Sequence, residues 1–386
     1  MYFCNPISFA YFVSVKTLWT YCSLLVFSLA MLACQNEPPD VKQAEKGMNL
    51  YATGFDVTPT EEGYHIQVYR PWQNATDEVF SYKLSRQPSG KSNISIPVET
   101  AVCMSTTHVA YISELNNIES VAGLSGTKYV YNAALRKKIS KGMTEEIGSS
   151  GNLNLEKIIA LQPDVLFAYA IQPSELRPLR QLEELGIPVV LVGDYLEQTP
   201  LGKLEWLRFF AAFYDKMPLA DSVIGRRSAG YNALRKQVPA NAERPRVLTN
   251  IPWQGVWWVP GGDSYIAALI EDAGGDYLFS DYSGTESHPI DIEQVFQRSA
   301  KADIWIHTGN LDSREAVLAA DSRLGLFHEL DSIKIFNNNK QQAGPGNDFF
   351  ESAVVHPENV LADLRAIFYP RYFNSDSLTY YKALCP

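Results

Sequence analysis

The chain has 386 residues, 46% hydrophobic and 20% charged, and carries a net charge of −10 at pH 7. That length points to two domains or one large one, and the composition is that of a globular protein with enough apolar residues for a core. The acidic balance argues against a nucleic-acid partner, because phosphate binding needs a basic face.

Residues 1–34 read as a lipoprotein signal peptide. No charged residue falls between Thr17 and Asn36, and LWTYCSLLVFSLAMLAC has the apolar run of a signal-peptide core. It ends at Met31-Leu32-Ala33-Cys34 before the polar QNEPPD, which resembles a site cut before Cys34 with lipid added to its thiol. A permanent anchor helix is the alternative, since about twenty apolar residues span a bilayer. Either way the chain is exported to the cell envelope, anchored and periplasm-facing, with surface display left open. Of the five cysteines, Cys4 and Cys22 leave with the leader and Cys34 is acylated, so Cys103 and Cys385 remain as a candidate pair in an oxidising compartment. No Cys-x-x-Cys or His-x-x-x-His spacing suggests structural zinc.

Residues 35–97 form a polar tether followed by a β extension, in which residues 50–72 alternate around a Glu-Glu-Gly turn as a β-hairpin does. From Val98 strands alternate with helices, the mark of a parallel α/β sheet. One unit occurs twice, as GNLNLEKIIALQPDVLFAYA (Gly151–Ala170) and SHPIDIEQVFQRSAKADIWIHTG (Ser287–Gly309). Each copy has a Glu, a short helix (Lys157–Leu161; Gln294–Arg298), then an Asp opening an apolar strand (Asp164; Asp303). The flanking elements follow the same order, so two similar lobes are expected at 98–200 and 241–370, with a tail at 371–386. A helical connector at 201–240 joins them, with Pro218 suited to the first turn of a second helix over 218–238. Such a helix makes a stiff joint that disfavours large lobe closure.

Enzyme signatures are missing from the sequence. It has no Gly-x-Ser-x-Gly elbow, no Walker lysine motif and no HExxH, and PGGDS lacks the lysine of a phosphate loop.

NLEKIIALQPDVLFA with the preceding IGSSG, and LEELGIPVVLV, resemble the periplasmic binding proteins that serve ABC importers of iron–siderophores, haem and cobalamin. WWVPGGDSYIAALIEDAGGDYL and GNDFFESAVVHPENVLADLRAIFYP look like the lipoprotein branch of that family found in Bacteroidota. The resemblance covers roughly residues 98–370, and the Tyr51–Trp72 hairpin looks like that branch's N-terminal addition. It implies two α/β lobes joined by a backbone helix, with a ligand between them and an ABC permease dimer as partner. The protein would act as a monomer and without a cofactor.

Ligands of open α/β sheets bind beyond the carboxyl ends of strands. Those ends offer Ser105-Thr106-Thr107-His108, Tyr169 and Asp194-Tyr195 in the first lobe. The second offers Pro252-Trp253, Asp281-Tyr282, His307 and Asn337-Asn338. Trp257 and Trp258 follow on what reads as a loop, and at least one of the three indoles is expected to face the cleft, where an indole gives flat contact area. The alternative is that Trp253 and Trp258 pack under the loop and only Trp257 is exposed. An aromatic residue ends the matching strand in corrinoid-binding relatives, and Tyr169 occupies that position. His108 starts a helix whose N-terminus favours a negative ligand group; a lone His is also a common structural residue. His307, His288, His356 or a tyrosine would be the axial donor to haem or bare metal.

Glu156 and Glu293 match the exposed Glu per lobe that meets permease arginines in the relatives. Both also stand in first helical turns, where an acidic side chain is favoured anyway. The cleft reads as aromatic and neutral, with Arg136-Lys137-Lys138 the nearest basic run. That reading argues against a catecholate and favours cobalamin slightly over haem or a hydroxamate. The alternatives are a transition-metal-ion binder using His108, His307 and Asp281, and a surface capture or sensor module without an importer.

Overall fold

The computed structural model describes residues 48–87, 93–149, 151–239, 241–326, 333–374 and 377–384. The leader, Cys34, the tether as far as Gly47, and Cys385 lie outside the described residues. The hairpin is present as β1 (Phe55–Pro59) and β2 (Gly63–Tyr69), turning at Glu61-Glu62. β3 (Val79–Ser85) and β4 (Asn93–Ser95) extend it to four strands in chain order.

The first lobe runs β5 (Ala101–Cys103), α1 (Thr106–Glu114), β6 (Val121–Leu124), α2 (Ala133–Ser140) and β7 (Glu145–Glu146). A small pair, β8 (Gly148–Ser149) and β9 (Asn152–Leu153), leads into α3 (Leu155–Leu161), β10 (Val165–Ala168), α4 (Leu176–Glu184) and β11 (Val189–Leu191). Its sheet is parallel throughout, in the order β11-β10-β5-β6-β7. All four residues of β10 are buried, as a strand covered by helices on both faces requires.

The connector is two helices, α5 (Pro200–Phe213) and α6 (Met217–Arg235). They break at Asp215, whose φ of 52° is left-handed. Pro218 lies in the first turn of α6, where its missing N–H costs nothing. The second helix ends at Arg235, three residues before the expected 238.

The second lobe follows with β12 (Arg246–Thr249), β13 (Pro252–Trp253), β14 (Val256–Pro260), α7 (Tyr265–Asp272), β15 (Asp276–Tyr277) and β16 (Ser287–Ile290). Next come α8 (Ile292–Ser299), β17 (Ile304–Ile306), α9 (Arg314–Ala319) and β18 (Lys334–Asn337). The pair β19 (Gln342–Ala343) and β20 (Gly346–Asn347), then α10 (Pro357–Phe368) and β21 (Lys382–Ala383), complete the chain. The sheet order is β15-β12-β17-β18-β21. Part of the expected C-terminal tail is therefore sheet: β21 pairs antiparallel with β18.

The internal repeat shows in the topology. β6-β5-β10-β11 and β15-β12-β17-β18 are the same four-strand order, built from equivalent positions in the two halves. The paired aspartates act alike, each joining its strand to the neighbouring one. Asp164 accepts from the backbone N–H groups of Glu99 and Thr100 (2.9 and 2.8 Å), just before β5. Asp303 accepts from the N–H of Arg246 (2.8 Å), which opens β12. The repeat helices α3 and α8 begin two residues before their expected starts, because Asn154 and Asp291 stand at the N-caps.

The β extension packs on α5 and the first lobe. Phe55 meets Trp206 at 4.6 Å between ring centroids, and the Tyr82 hydroxyl accepts from the N–H of Leu191 on β11 (2.9 Å). Cys103 is buried and unbridged, and burial pushes its thiol well above the ordinary range.

Candidate functional site

A cavity of about 990 Å³ opens between the lobes. The first lobe supplies most of its wall from the carboxyl ends of its strands: Ser105 after β5, Gly126 after β6, Tyr169 after β10 and Tyr195 after β11. The second lobe contributes Asn310, Pro345, Asn347 and Phe350. Tyr169 and Tyr195 stand edge to face, with centroids 6.4 Å apart. The Tyr195 hydroxyl is held by donating to the carbonyl of Ala170 (2.7 Å), and burial pushes its pKa up.

Ser105 caps α1 by accepting from the N–H of Thr107 (3.2 Å). One turn on, His108 also reaches the cavity wall although its side chain is fully buried between Phe167 and Phe210. Neither of its ring nitrogens makes a hydrogen bond. Burial lowers its pKa to about 4; Asp194 and the Phe167 carbonyl pull the other way, the carbonyl without reaching hydrogen-bond geometry. His108 is therefore neutral at pH 7.

The wall is not the neutral surface expected from the strand ends. Lys128, Lys203, Glu146 and Asp194 all line it, two positive charges against two negative. Burial works to raise the pKa of Glu146, yet the N–H groups of Gly126, Thr127 and Gly148 and the Thr127 hydroxyl hold it below the ordinary carboxylate range. Arg136, Lys137 and Lys138 do not line the cavity. The Lys138 ammonium is instead spent on the carbonyl of Glu119.

The indoles differ from expectation. Trp257 is 0% exposed, stacks on Trp305 at 5.6 Å and donates from Nε1 to the carbonyl of Thr249 (3.0 Å). Trp253 and Trp258 are 65% and 39% exposed, but neither lines the cavity. The reason is a β-hairpin where a loop was read. Gln254 and Gly255 both have positive φ (50° and 82°), the geometry of a two-residue hairpin turn. Side chains along β14 then alternate, so Trp257 points inward while Trp258 points outward, on the same face as Trp253, whose partner across the strands is Val256.

Tyr282 and His307 also lie away from the cavity. Tyr282 lies beneath the Arg298 guanidinium (5.2 Å) and beside His288. His307 is within hydrogen-bond distance of the Tyr381 hydroxyl (2.6 Å), and burial lowers its pKa to about 4. The returning C-terminal strand brings Tyr381 there, so the second lobe's strand ends are covered by the chain's own tail. Asn337 is consumed in the same way, by Thr308, Gly309 and Leu311. Asp281 is paired with Arg298. Among the described residues no group of three or more His, Cys, Asp or Glu side chains converges as a metal site.

Glu156 and Glu293 are both exposed, each the second residue of its helix, α3 and α8, one per lobe.

At one rim the lobes touch. Glu351 accepts from the N–H groups of Tyr131 (2.7 Å) and Asn132 (2.9 Å), and the Tyr131 hydroxyl donates to Gln341 (2.9 Å). Gly346 lies so close to this strip that a Cβ there would meet the carbonyl of Val130 at 2.6 Å.

Two similar α/β lobes, a helical joint and a cleft between them are the architecture of a chain that can hold a solute between domains. The chain belongs to the periplasmic binding protein family, whose model matches residues 102–324. It is 29% identical over 314 residues to an uncharacterised lipoprotein of Methanocaldococcus jannaschii, covering 78% of this chain and 72% of that one. It is 24% identical over 280 residues to a cobalamin-binding protein of Halobacterium salinarum (70% and 71% covered). Its fold matches the periplasmic haem-binding protein RhuT of Roseiflexus sp. RS-1 with a TM-score of 0.55, at 19% identity, covering 70% of this chain and 98% of that one. Two of these three are named for the solute they bind, cobalamin and haem.

Of the residues on the cavity wall, sequence reasoning missed Lys128, Tyr129, Glu146, Lys203, Asn347 and Phe350 as site residues. Asn347 and Phe350 carried a signal, since they stand in the GNDFFESAVV segment that resembles the family. Lys203 carried none, being hidden in a connector read only for its helical period.

Proposed function

We propose that this protein captures a large metal chelate in the cleft and delivers it to an ABC permease dimer, working as a monomer held to the membrane by lipid on Cys34. The observation that carries this reading is the cavity. At about 990 Å³ it stands at the upper end of the 300–1,000 Å³ typical of small-molecule sites. Tyr129, Tyr169, Tyr195 and Phe350 give it flat faces suited to a macrocycle. The two-against-two charge balance favours a ligand near neutrality and disfavours a highly anionic catecholate. Cobalamin leads on that ground, ahead of haem and ferric hydroxamates. The named lipoproteins among the relatives support a cell-envelope location. A bare transition-metal ion is less well served, because His307 and Asp281 are taken by Tyr381 and Arg298, away from His108.

Glu156 and Glu293 are the proposed docking contacts. Two equivalent carboxylates, one on each lobe, suit a pseudo-symmetric protein that meets a symmetric dimer.

Replacing Tyr169 with Ala should weaken chelate binding by about tenfold or more, roughly 1.4 kcal/mol, as read by isothermal titration. Unchanged affinity would remove Tyr169 from the site. The Glu156→Ala, Glu293→Ala double variant should keep its chelate affinity within about twofold while losing uptake in cells, since surface charges of this kind act on docking. Uptake at the wild-type rate would end the docking assignment.

A further inference from the structure

We infer that the inner end of the cleft is built for an anionic substituent of the bound chelate, a carboxylate or a phosphate ester, and that Lys203 selects it. The inference rests on the chelate reading and goes one step past it.

Lys203 stands in the first turn of α5, where its carbonyl accepts from the Tyr111 hydroxyl (2.7 Å). Its ammonium lies 4.1 Å from the ring centroid of Tyr265 in the second lobe. The residue is only 9% exposed. Among the described residues its Nζ nonetheless forms no ion pair and donates no hydrogen bond. An aromatic face attracts an ammonium but leaves its three N–H donors without acceptors. Lys203 lines the cavity, so an ammonium without a protein acceptor is placed to meet an anionic group there.

Its position says where that partner sits. Lys203, Thr107 and Phe350 line both the main cavity and a side pocket of about 120 Å³, so they form the throat between the two. Tyr265, Leu269, Phe349 and Val360 make the side pocket largely apolar. The N-terminus of α1, nine residues long, meets the same corner, and Ser105, Thr106 and Thr107 all line the cavity. Helix N-termini favour negative charge. Neutral His108, whose ring is buried between Phe167 and Phe210, adds no charge to that wall.

The cavity carboxylates do not neutralise Lys203. Glu146 is occupied by Gly126, Thr127 and Gly148, and Asp194 accepts a long hydrogen bond from Tyr111 (3.5 Å). A ligand with a flat, apolar body and one peripheral anion would fill the cleft, place the anion on Lys203 and satisfy its donors with charge-assisted hydrogen bonds. Haem offers propionates for this; a complete corrinoid offers the phosphodiester of its nucleotide loop.

The full chain, purified in detergent, is titrated with two matched pairs: haem and its dimethyl ester, and cyanocobalamin and dicyanocobinamide, which lacks the phosphate-bearing loop. For the pair that binds, Lys203→Met should weaken the anionic member by about tenfold or more, the scale of a lost charge-assisted hydrogen bond, and leave the other member within about twofold. Lys203→Arg should keep the preference, which preserves the test if the Met variant melts early. The responding pair tells carboxylate from phosphate. Equal weakening of both members, or of neither, overturns the inference and leaves the chelate reading intact. A wild type that binds none of the four also overturns the inference, while tight binding of a ferric hydroxamate would keep the chelate reading.

Discussion

Glu205→Ala should destabilise the folded protein by about 3–5 kcal/mol, the usual cost of removing one partner from a buried ion pair. Glu205 is fully buried on α5, where its carboxylate accepts from the N–H groups of Leu50, Tyr51 and Ala52 (2.9, 2.7 and 2.7 Å) and pairs with Arg208 (3.0 Å). Glu197 repeats the device one step along the chain. It accepts from Thr53 and Gly54 and from Trp206 Nε1 (2.9 Å). Two buried carboxylates thus bind the strand-less run Leu50–Gly54, which leads from the tether into the β extension. Alanine at 205 removes every acceptor at once, leaving three backbone donors and part of the Arg208 guanidinium to find water. Denaturant midpoints should fall accordingly, and limited proteolysis should cut first near Leu50–Gly54. A loss below about 1 kcal/mol, the scale of one ordinary hydrogen bond, would show that the segment's anchorage is not structural.

The second large effect depends on pH. Burial pushes Glu351 up to about 7, against the pull of the Tyr131 and Asn132 N–H groups and with Asp348 adding to the rise. Arg136 opposes it. Its pKa is thus raised on folding, so the folded chain holds a proton that the unfolded chain has already lost. The stabilisation is full below about pH 4.5 and disappears as pH rises through about 7. At 1.36 kcal/mol per unit it amounts to roughly 3 kcal/mol. Unfolding by urea at pH 5.5 and pH 8 should show wild-type stability falling more than that of Glu351→Gln, which cannot ionise. Identical pH profiles for the two proteins would refute the assignment. Glu351 reaches from one lobe to backbone of the other, and the Tyr131 and Asn132 N–H groups favour its ionised form, so the cost of ionisation comes from burial and not from the rim hydrogen bonds.

How far the sequence foretold this depends on what kind of signal each residue carried. The repeat could be read because both copies keep Glu, helix, Asp and apolar strand in order, and the two sheets bear out that order. The first-lobe cleft was equally readable, since strand ends in a parallel sheet point one way and Tyr169, Tyr195 and Ser105 follow β10, β11 and β5 directly. The same rule failed in the second lobe for a long-range reason. β21 returns about fifty residues after β18 and brings Tyr381 onto His307, an event that no local pattern announces. The tryptophans were misread for a local reason. Gln254-Gly255 between alternating residues is a hairpin signal, and once the stretch is taken as strand, period two separates Trp257 from Trp258. Lys203 was illegible because its meaning lies in Tyr265 and the two cavities it divides, none of them near it in sequence.

The measurement that bears most directly on the account is isothermal titration of the full chain in detergent with cyanocobalamin, haem and a ferric hydroxamate. Submicromolar binding to one of the three is expected, beyond roughly 8 kcal/mol of binding free energy, with the heat abolished or sharply reduced by changes at Tyr169. Absence of binding to all three, with tight binding of a bare transition-metal ion instead, would contradict it and leave only the fold standing.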